Sequence, residues 1–233
     1  MTDSRLPVLV LWDIDHTLIS VKGVSRKVYE LAFRRMTGTD LRELADMAGR
    51  TERAILLETL ALNGVEGGDD FCEQFYSALA AAAQELCEEM IRNGHALPGA
   101  EAAVRALAGM RVTQSVVTGN IKAVAITKLT AFGLAKDIDF AVGGYGDDAD
   151  ERAPLVRLAI KRAAAKYGHE FPGDRVFVIG DTPHDVYAAH LVGVRGIGVA
   201  TGGSSMSDLV AAKADTVLPD LTDLPGLLAV ISG

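Results

Sequence analysis

The stretch Leu6-Pro7-Val8-Leu9-Val10-Leu11-Trp12-Asp13-Ile14-Asp15-His16-Thr17 decides the fold. Its run from Leu6 to Trp12 is almost wholly apolar and is bounded by Pro7 and two aspartates, the pattern of a strand buried on both faces. Such a strand belongs to a parallel sheet with helices on both sides. In extended chain, residues i and i+2 point the same way, so Asp13 and Asp15 both face the crevice beyond the strand's C-terminal end. Open α/β sheets bind their ligands in that crevice. Two carboxylates this close repel each other unless a cation or a shared proton relieves them. Taken alone, the pair is also compatible with a solvated turn.

Working outward, four more strands are expected at Thr113–Val117, Phe140–Gly143, Val176–Ile179 and Gly196–Ala200, with a short sixth at Thr216–Leu218. Spaced apolar positions predict helices over Gly99–Leu107, Ile121–Phe132, Ala153–Tyr167 and Pro183–Leu191. Pro98, Pro183 and Pro225 stand where helices begin, since proline fits the first turn. The fold class is therefore α/β, a doubly wound parallel sheet with a Rossmann-like core.

One region breaks the alternation. From about Leu18 to His95 the sequence offers no strand. Val24, Val28 and Leu31 recur at helical spacing up to Gly38, and Asp40 with Glu43 has the form of a capping box opening a second helix. Thr51–Leu62 is a third, stopped by Gly64. The stripe Phe71, Phe75, Leu79, Leu86, Met90 is a fourth, stopped by Gly94. The chain thus divides into an α/β core, 1–18 and 96–233, and a helical insert, 19–95.

Two further segments close strands with polar residues. Gly180-Asp181-Thr182-Pro183-His184-Asp185 follows Val176–Ile179. If that strand lies beside the first, Asp181 and Asp185 border the same crevice, where hard oxygen donors on several loops suit magnesium. Capping of the next helix accounts for one of the two. Thr118-Gly119-Asn120 follows the second core strand, and its hydroxyl, backbone N–H and amide at a helix start form an anion cradle or an ordinary N-cap.

The net charge of −8, from 23 basic and 31 acidic residues, argues against nucleic acid as a partner. No stretch is long and apolar enough to span a bilayer. The polar start MTDSRLP has no basic head followed by an apolar stretch, so no secretory signal is expected. Cys72 and Cys87, placed by the pattern on one helix, would lie roughly 22 Å apart and beyond disulfide reach. A cytoplasmic location follows from that reading.

With its three motifs in order at matched strand ends, the chain resembles the haloacid dehalogenase superfamily in its phosphatase branch. The resemblance covers the whole core: Asp-x-Asp-x-Thr at Asp13–Thr17, the hydroxyl residue Thr118, a basic residue, and the acidic Gly-Asp-x-x-x-Asp signature at Gly180–Asp185. The insert matches that family's helical cap. By similarity, Asp13 is the nucleophile and Asp15 the general acid and base. Magnesium would be held by Asp13, the backbone carbonyl of Asp15, and Asp181, with Asp185 holding a metal-bound water. Thr118, Gly119 and Asn120 would bind phosphate, together with Arg152 or, as the fallback, Lys161. Arg50, in the cap turn Ala48–Thr51, is expected to reach the leaving group or else to stand exposed beside a helix cap. His16 takes a position that is often glycine in the family and is expected to offer its backbone N–H.

The resemblance implies a magnesium-dependent phosphatase acting on a small phosphorylated metabolite through an aspartyl-phosphate. Phosphoglycolate is one candidate substrate. A sugar-phosphate mutase on the same fold, or a catalytically silent phosphate-binding module, is the alternative. The sequence leaves monomer or homodimer open.

Overall fold

A computed structural model describes residues 7–110 and 112–233. Leu6, where the sequence reading starts the first strand, lies outside the described residues. The chain runs β1 (Val8–Trp12), β2 (Ile19–Ser20), α1 (Val24–Thr37), α2 (Glu52–Leu62), α3 (Asp69–Glu85), α4 (Cys87–Asn93), β3 (His95–Ala96), α5 (Ala100–Ala108), β4 (Val112–Val116) and α6 (Lys122–Ala131). It continues with α7 (Arg152–Tyr167), β5 (Val176–Gly180), α8 (Pro183–Val192), β6 (Arg195–Val199), α9 (Met206–Ala211), β7 (Thr216–Leu218) and α10 (Leu224–Ser232).

Five strands form one parallel sheet in the order β4-β1-β5-β6-β7. The strand order reverses around β1, so the ends of β1, β4 and β5 border one crevice. Every residue of β1 is buried, and its side chains alternate between two cores. Leu9 and Leu11 join Leu155, Val156 and Ala188 of α7 and α8 on one face. Val10 and Trp12 join Val104 and Leu227 of α5 and α10 on the other. Trp12 is fixed by its indole N–H, which donates to Gln114 Oε1 at 3.0 Å, while Gln114 Nε2 donates to the Val104 carbonyl at 2.9 Å. A buried glutamine in a strand is thereby satisfied, each bond stabilising by about 1 kcal/mol.

Several expectations need correction. Phe140–Gly143 is not a strand. The segment is tied to β4 at its ends, by Asp139 N–H to the Gln114 carbonyl at 2.8 Å and Gly144 N–H to the Val116 carbonyl at 2.9 Å. Between them Asp139 Oδ1 accepts from Ala141 N–H at 3.0 Å and bends the chain away from the ladder. No helix starts at Asp40 either. The backbone there is irregular, and its N–H groups are taken by side chains of α2 and its C-cap: Arg42 and Glu43 donate to Asn63 Oδ1, and Ala45 donates to Thr59 Oγ1. The long stripe Phe71–Met90 is two helices that meet at Leu86, so Cys72 and Cys87 sit on different helices, both as free thiols.

The two connections to the helical insert pair with each other. Ile19 and Ser20 form an antiparallel ribbon with Ala96 and His95, a feature too short to leave a periodic signal. Within the insert α1 packs on α3, with the Tyr29 and Phe75 rings 5.2 Å apart. Helices α3 and α4 then rest on α6 of the core. One apolar cluster runs from Trp12 through Leu129 to Phe75.

Candidate active site

Asp13 follows directly on β1, its N–H held by the Ile179 carbonyl at 2.8 Å. Its carboxylate is buried and accepts from Arg152 Nη2 on one oxygen and from Thr17 Oγ1 at 3.2 Å on the other. The Thr17 hydroxyl also lies 3.3 Å from Asp181 Oδ1, so it bridges the carboxylates at the ends of β1 and β5. Burial pushes the pKa of Asp13 up to about 7 and that of Asp181 up to about 8; the charges of Asp185 and Asp15 add to the first and those of Asp13 and Asp185 to the second, with Arg152 pulling partly back on both. The loop after β6 closes over the pair: a Cβ on Gly202 would lie 1.8 Å from Asp181 Oδ2, so only glycine lets the backbone pass.

Arg152, at the start of α7, is the basic residue that the fold delivers. It is buried, and its Nη2 also contacts the Val117 carbonyl at 3.2 Å and lies 2.6 Å from Asp185 Oδ1, without hydrogen-bond alignment to the latter. Its Nε is buried with no partner, a donor left for an anion. Lys161 is exposed about two and a half turns further along α7, on the opposite face from Arg152. Asp185 Oδ2 accepts from Thr182 N–H at 3.1 Å and Thr182 Oγ1 at 2.7 Å, closing a capping box at α8. Asp185 is therefore both a helix cap and the buried counter-charge of Arg152.

Asp15 faces the opposite way along the crevice. Lys128 Nζ, on α6, donates to both its oxygens at 2.8 and 2.7 Å and to Asn120 Oδ1 at 2.8 Å. Asn120 Nδ2 donates to Asp15 Oδ2 at 2.7 Å and to Thr118 Oγ1 at 2.8 Å. Burial pushes Asp15 up, but the Lys128 charge and the hydrogen bonds from Lys128 and Asn120 outweigh it and hold the carboxyl below its usual range. Neither Thr118 nor Asn120 caps α6, whose N-cap is Ile121 without a side-chain bond. Thr118 Oγ1 accepts from Asn120 at both its N–H and its amide, which leaves its own proton to donate.

Sequence reasoning assigned no role to Lys128 or Thr17. The signal for Lys128 was present: it stands on the buried stripe Val124, Ala125, Leu129 of α6, where an unpaired lysine is not tolerated. Thr17 lay within the quoted motif. His16 adopts a left-handed φ of 62°, the conformation that favours glycine, but its N–H is taken by the Ile19 carbonyl at 2.8 Å and does not face the crevice.

The insert closes the crevice with the turn at 49–53. The Arg50 carbonyl packs on Gly119, where a Cβ would lie 1.9 Å away. Glu52 N–H donates to the Gly119 carbonyl at 2.9 Å, Arg53 N–H to the Gly146 carbonyl at 3.2 Å, and Thr51 Oγ1 to the Asp150 carbonyl at 2.8 Å. The Arg50 guanidinium turns back into the insert, to Glu58 and to the carbonyls of Asp46 and Ala54. Between insert and sheet lies a cavity of about 750 Å³ lined by Asp13, Asp15, Asn120, Arg152, Asp181 and Glu52, among others.

A divalent cation fits this donor set. Once ionised, Asp13, Asp181 and Asp185 would carry three negative charges against one guanidinium, leaving two for a cation to offset, and the donors are hard oxygens without thiolate or imidazole. Among the described residues no three His, Cys, Asp or Glu side chains meet around one point. Carbonyl oxygen and solvent would have to complete the coordination of an ion at Asp13 and Asp181, as magnesium commonly requires.

Comparison with known proteins agrees with this geometry. The sequence profile of haloacid dehalogenase-like hydrolases matches residues 10–190. The chain belongs to that family. It is similar to a phosphoglycolate phosphatase of Agrobacterium fabrum, 25% identical over 226 residues that cover 96% of this chain and 93% of the relative. It is also similar to a phosphoglycolate phosphatase of Rhodospirillum rubrum, 27% identical over 228 residues that cover 94% and 90%. In fold it resembles a hydrolase from Pseudomonas syringae, with TM-score 0.67 at 24% identity over 96% of this chain and 99% of the other. The same holds for a putative β-phosphoglucomutase from Bacteroides vulgatus, with TM-score 0.63 at 17% identity over 99% and 90%. No helix among the described residues is long and apolar enough to cross a membrane.

Proposed function

We propose that the protein hydrolyses a small phosphorylated metabolite in two steps through an aspartyl-phosphate on Asp13, with magnesium as its cofactor. The observation that carries the proposal is the buried carboxylate of Asp13, ringed by Thr17, Arg152, Asp181 and the Thr118 loop at the ends of three neighbouring strands. An ionised carboxylate so placed is a nucleophile, and the donors left over on Arg152 and Thr118 are available for the phosphoryl oxygens.

In the first step an Asp13 oxygen attacks phosphorus, the ester bond to the leaving oxygen breaks, and Asp15 gives that oxygen a proton. In the second, Asp15 takes a proton from water, which attacks the same phosphorus and returns Asp13 and inorganic phosphate. Lys128 keeps Asp15 as the carboxylate that the second step needs. Arrival of a phosphoryl dianion beside Asp15 shifts it the other way, toward the acid that the first step needs. Magnesium, held by Asp13 and Asp181, would supply positive charge that keeps Asp13 ionised and offsets the phosphoryl charge. Asp185 would act through Arg152 and the metal's solvent.

The helices within 19–95 would act as a cap on a core of 1–18 and 96–233, with the turn at 49–53 excluding water from the phosphoenzyme. Two free thiols fit a reducing cytoplasm. The relatives' names make phosphoglycolate the first substrate to try. The test is phosphate release from an aryl phosphate and a panel of phosphorylated metabolites, with acid-quenched protein examined for a hydroxylamine-sensitive phosphoryl group. Absence of that adduct under rapid turnover would remove the covalent mechanism. Phosphate migration within a sugar phosphate, without release, would replace hydrolysis by mutase chemistry.

A further inference from the structure

The resemblance implies that Asn120 binds phosphate, yet every polar atom of this residue already has a partner in the protein. Its Nδ2 gives one proton to Asp15 Oδ2 at 2.7 Å and the other to Thr118 Oγ1 at 2.8 Å. Its Oδ1 accepts from Lys128 Nζ at 2.8 Å. Its backbone N–H donates to Thr118 Oγ1 at 3.2 Å, and its carbonyl accepts from Gly146 N–H at 2.9 Å. A side-chain amide has two protons to donate, and both are engaged. Nor can the amide turn over. The flipped group would set its NH2 against the Lys128 ammonium and its oxygen against the Asp15 carboxylate, so the charges on either side fix one orientation.

The two groups that the amide holds are the ones the proposed reaction needs in register. Thr118 and Asp15 lie just beyond β4 and β1, neighbours in the sheet, and Asn120 bridges them. Thr118 Oγ1 takes both Asn120 donors, which fills its acceptor sites and leaves its own proton for another oxygen. Thr118 is 1% exposed, so that proton is costly to leave unpaired. Asp15 is gripped by Lys128 on both oxygens and by Asn120 on Oδ2, contacts that fix the plane of its carboxylate. Lys128 closes the network, since its ammonium reaches Asp15 and Asn120 together. Reacting groups must be held to within about 0.5 Å, and a fully bonded bridge does that.

Resting on the phosphatase reading, we infer that Asn120 is a positioning residue and not a phosphate ligand: its amide holds the Thr118 hydroxyl as a donor toward the phosphoryl group and locks the Asp15 carboxylate beside it. Asn120 then acts on phosphate only through Thr118, and on the proton transfer only through Asp15. Two residues that act through one hydroxyl are not additive, whereas two independent ligands are.

The test is a double-mutant cycle of Thr118→Val and Asn120→Ala in the full chain with magnesium. It reads the Ki of inorganic phosphate as a competitive inhibitor of aryl phosphate turnover, with kcat and the melting temperature measured alongside. Thr118→Val should raise Ki by at least about tenfold, the scale of one lost hydrogen bond to a charged group. Asn120→Ala should raise it about fivefold, the scale of one ordinary hydrogen bond, by freeing that hydroxyl to turn. Its kcat should fall at least about tenfold, because a misplaced reacting group is costly. In the double variant Ki should stay within about twofold of that of Thr118→Val alone, because the hydroxyl that Asn120 holds is gone. Single factors that multiply in the double variant would make Asn120 a phosphate ligand and overturn the inference, while the phosphatase reading stands. So would an Asn120→Ala variant that melts earlier but keeps Ki and kcat within about twofold of wild type, the mark of an amide that only braces the loop. Asn120→Ser enters the same cycle if the alanine variant does not fold. Failure of the wild type to release phosphate from the aryl ester would overturn the phosphatase reading and this inference with it.

Discussion

The sheet core and the helical insert enclose the same cavity by different means. The core supplies side chains: Asp13, Thr118, Asp181 and Arg152 project from strand ends or a helix start, with Thr118 held by Asn120 of its own loop and the others by partners from other elements. Beside the cavity the insert meets the core largely through backbone, as the Arg50 carbonyl and the Glu52 and Arg53 N–H groups meet Gly119 and Gly146. On the proposed reading, chemistry common to any phosphate ester would be built on the sheet, while the closing surface would be a single turn that side chains can vary without disturbing the sheet. Substitutions in the core should therefore act on every substrate alike, and substitutions in the insert should act on their ratio.

The largest effect belongs to Asp13→Asn. It would remove the proposed nucleophile while keeping size and one acceptor oxygen, so kcat should fall by about three orders of magnitude or more, about 4 kcal/mol in barrier terms. More than about a tenth of wild-type kcat, on any substrate, would break the covalent reading. Next is Asp181→Ala. Chelation should abolish wild-type activity, and the variant should need at least about tenfold more magnesium or be inactive, about 1.4 kcal/mol or more. An unchanged metal titration would make the Gly180–Asp185 signature structural only.

What the sequence showed and what it hid divide along the same line. Asp13, Asp15 and Asp181 could be placed at the crevice because each follows directly on a buried strand with a short end motif, although Asp15 turns to Lys128 rather than alongside Asp13, and Arg152 was named, ahead of Lys161, only by the family resemblance. Lys128 was hidden because its partner Asp15 lies far away in sequence, although its place on an apolar stripe marked it as paired. The segment at 140–143 was misread because burial beside β4 gives the composition of a strand, while the bend depends on one aspartate bonding its own backbone. The irregular chain after Asp40 was misread as helix because its N–H groups find Asn63 and Thr59, which no local pattern reveals. The turn at 49–53 docks by backbone, and backbone contacts carry no residue signature beyond the glycines that allow them.

Two intermediate effects sharpen the boundary between core and insert. Lys128→Met leaves Asp15 and Asn120 without their shared donor, and should cost roughly 1–3 kcal/mol of stability at neutral pH. Lys128 holds Asp15 below its ordinary range, so that stability is present above the unfolded carboxylate pKa and is lost as pH falls through the folded one. The variant's deficit should shrink in acid, and the acid limb of its pH–rate profile should move to higher pH. An unmoved limb would separate Lys128 from the chemistry. Glu52 behaves in the opposite sense. Burial first, and then the Asp147 and Asp15 charges, push it up to about 7 from its ordinary 4.5, against Tyr29 and Lys128. A raised carboxylate takes up a proton on folding, so its contribution falls as pH rises from about 4.5 to 7. Glu52→Gln should gain stability relative to wild type between pH 5 and 8 by up to about 3 kcal/mol, from about 1.4 kcal/mol per unit. Parallel melting curves across that range would show Glu52 to be solvated.

The smallest effect is assigned to Arg50→Ala, where the two regions meet most closely. The Arg50 carbonyl is what packs on Gly119, and alanine keeps it. The guanidinium is spent on Glu58 and on two carbonyls of the insert. Glu58 is about half exposed, so that ion pair stabilises by no more than about 1 kcal/mol. Alanine should therefore lower the melting temperature by only a few degrees, in keeping with a loss of about 1 kcal/mol. It should change the ratio of kcat/KM between a metabolite ester and an aryl phosphate less than about fivefold, about 1 kcal/mol. A fall of that ratio by more than about tenfold would mean that the guanidinium leaves Glu58 for the substrate during turnover. Glu58→Gln then becomes the deciding variant. If Arg50 serves the substrate, freeing it from Glu58 should raise kcat/KM for the metabolite and lower KM. If Arg50 only braces the turn at 49–53, the same change should loosen the docking on Gly119 and lower kcat for both esters together.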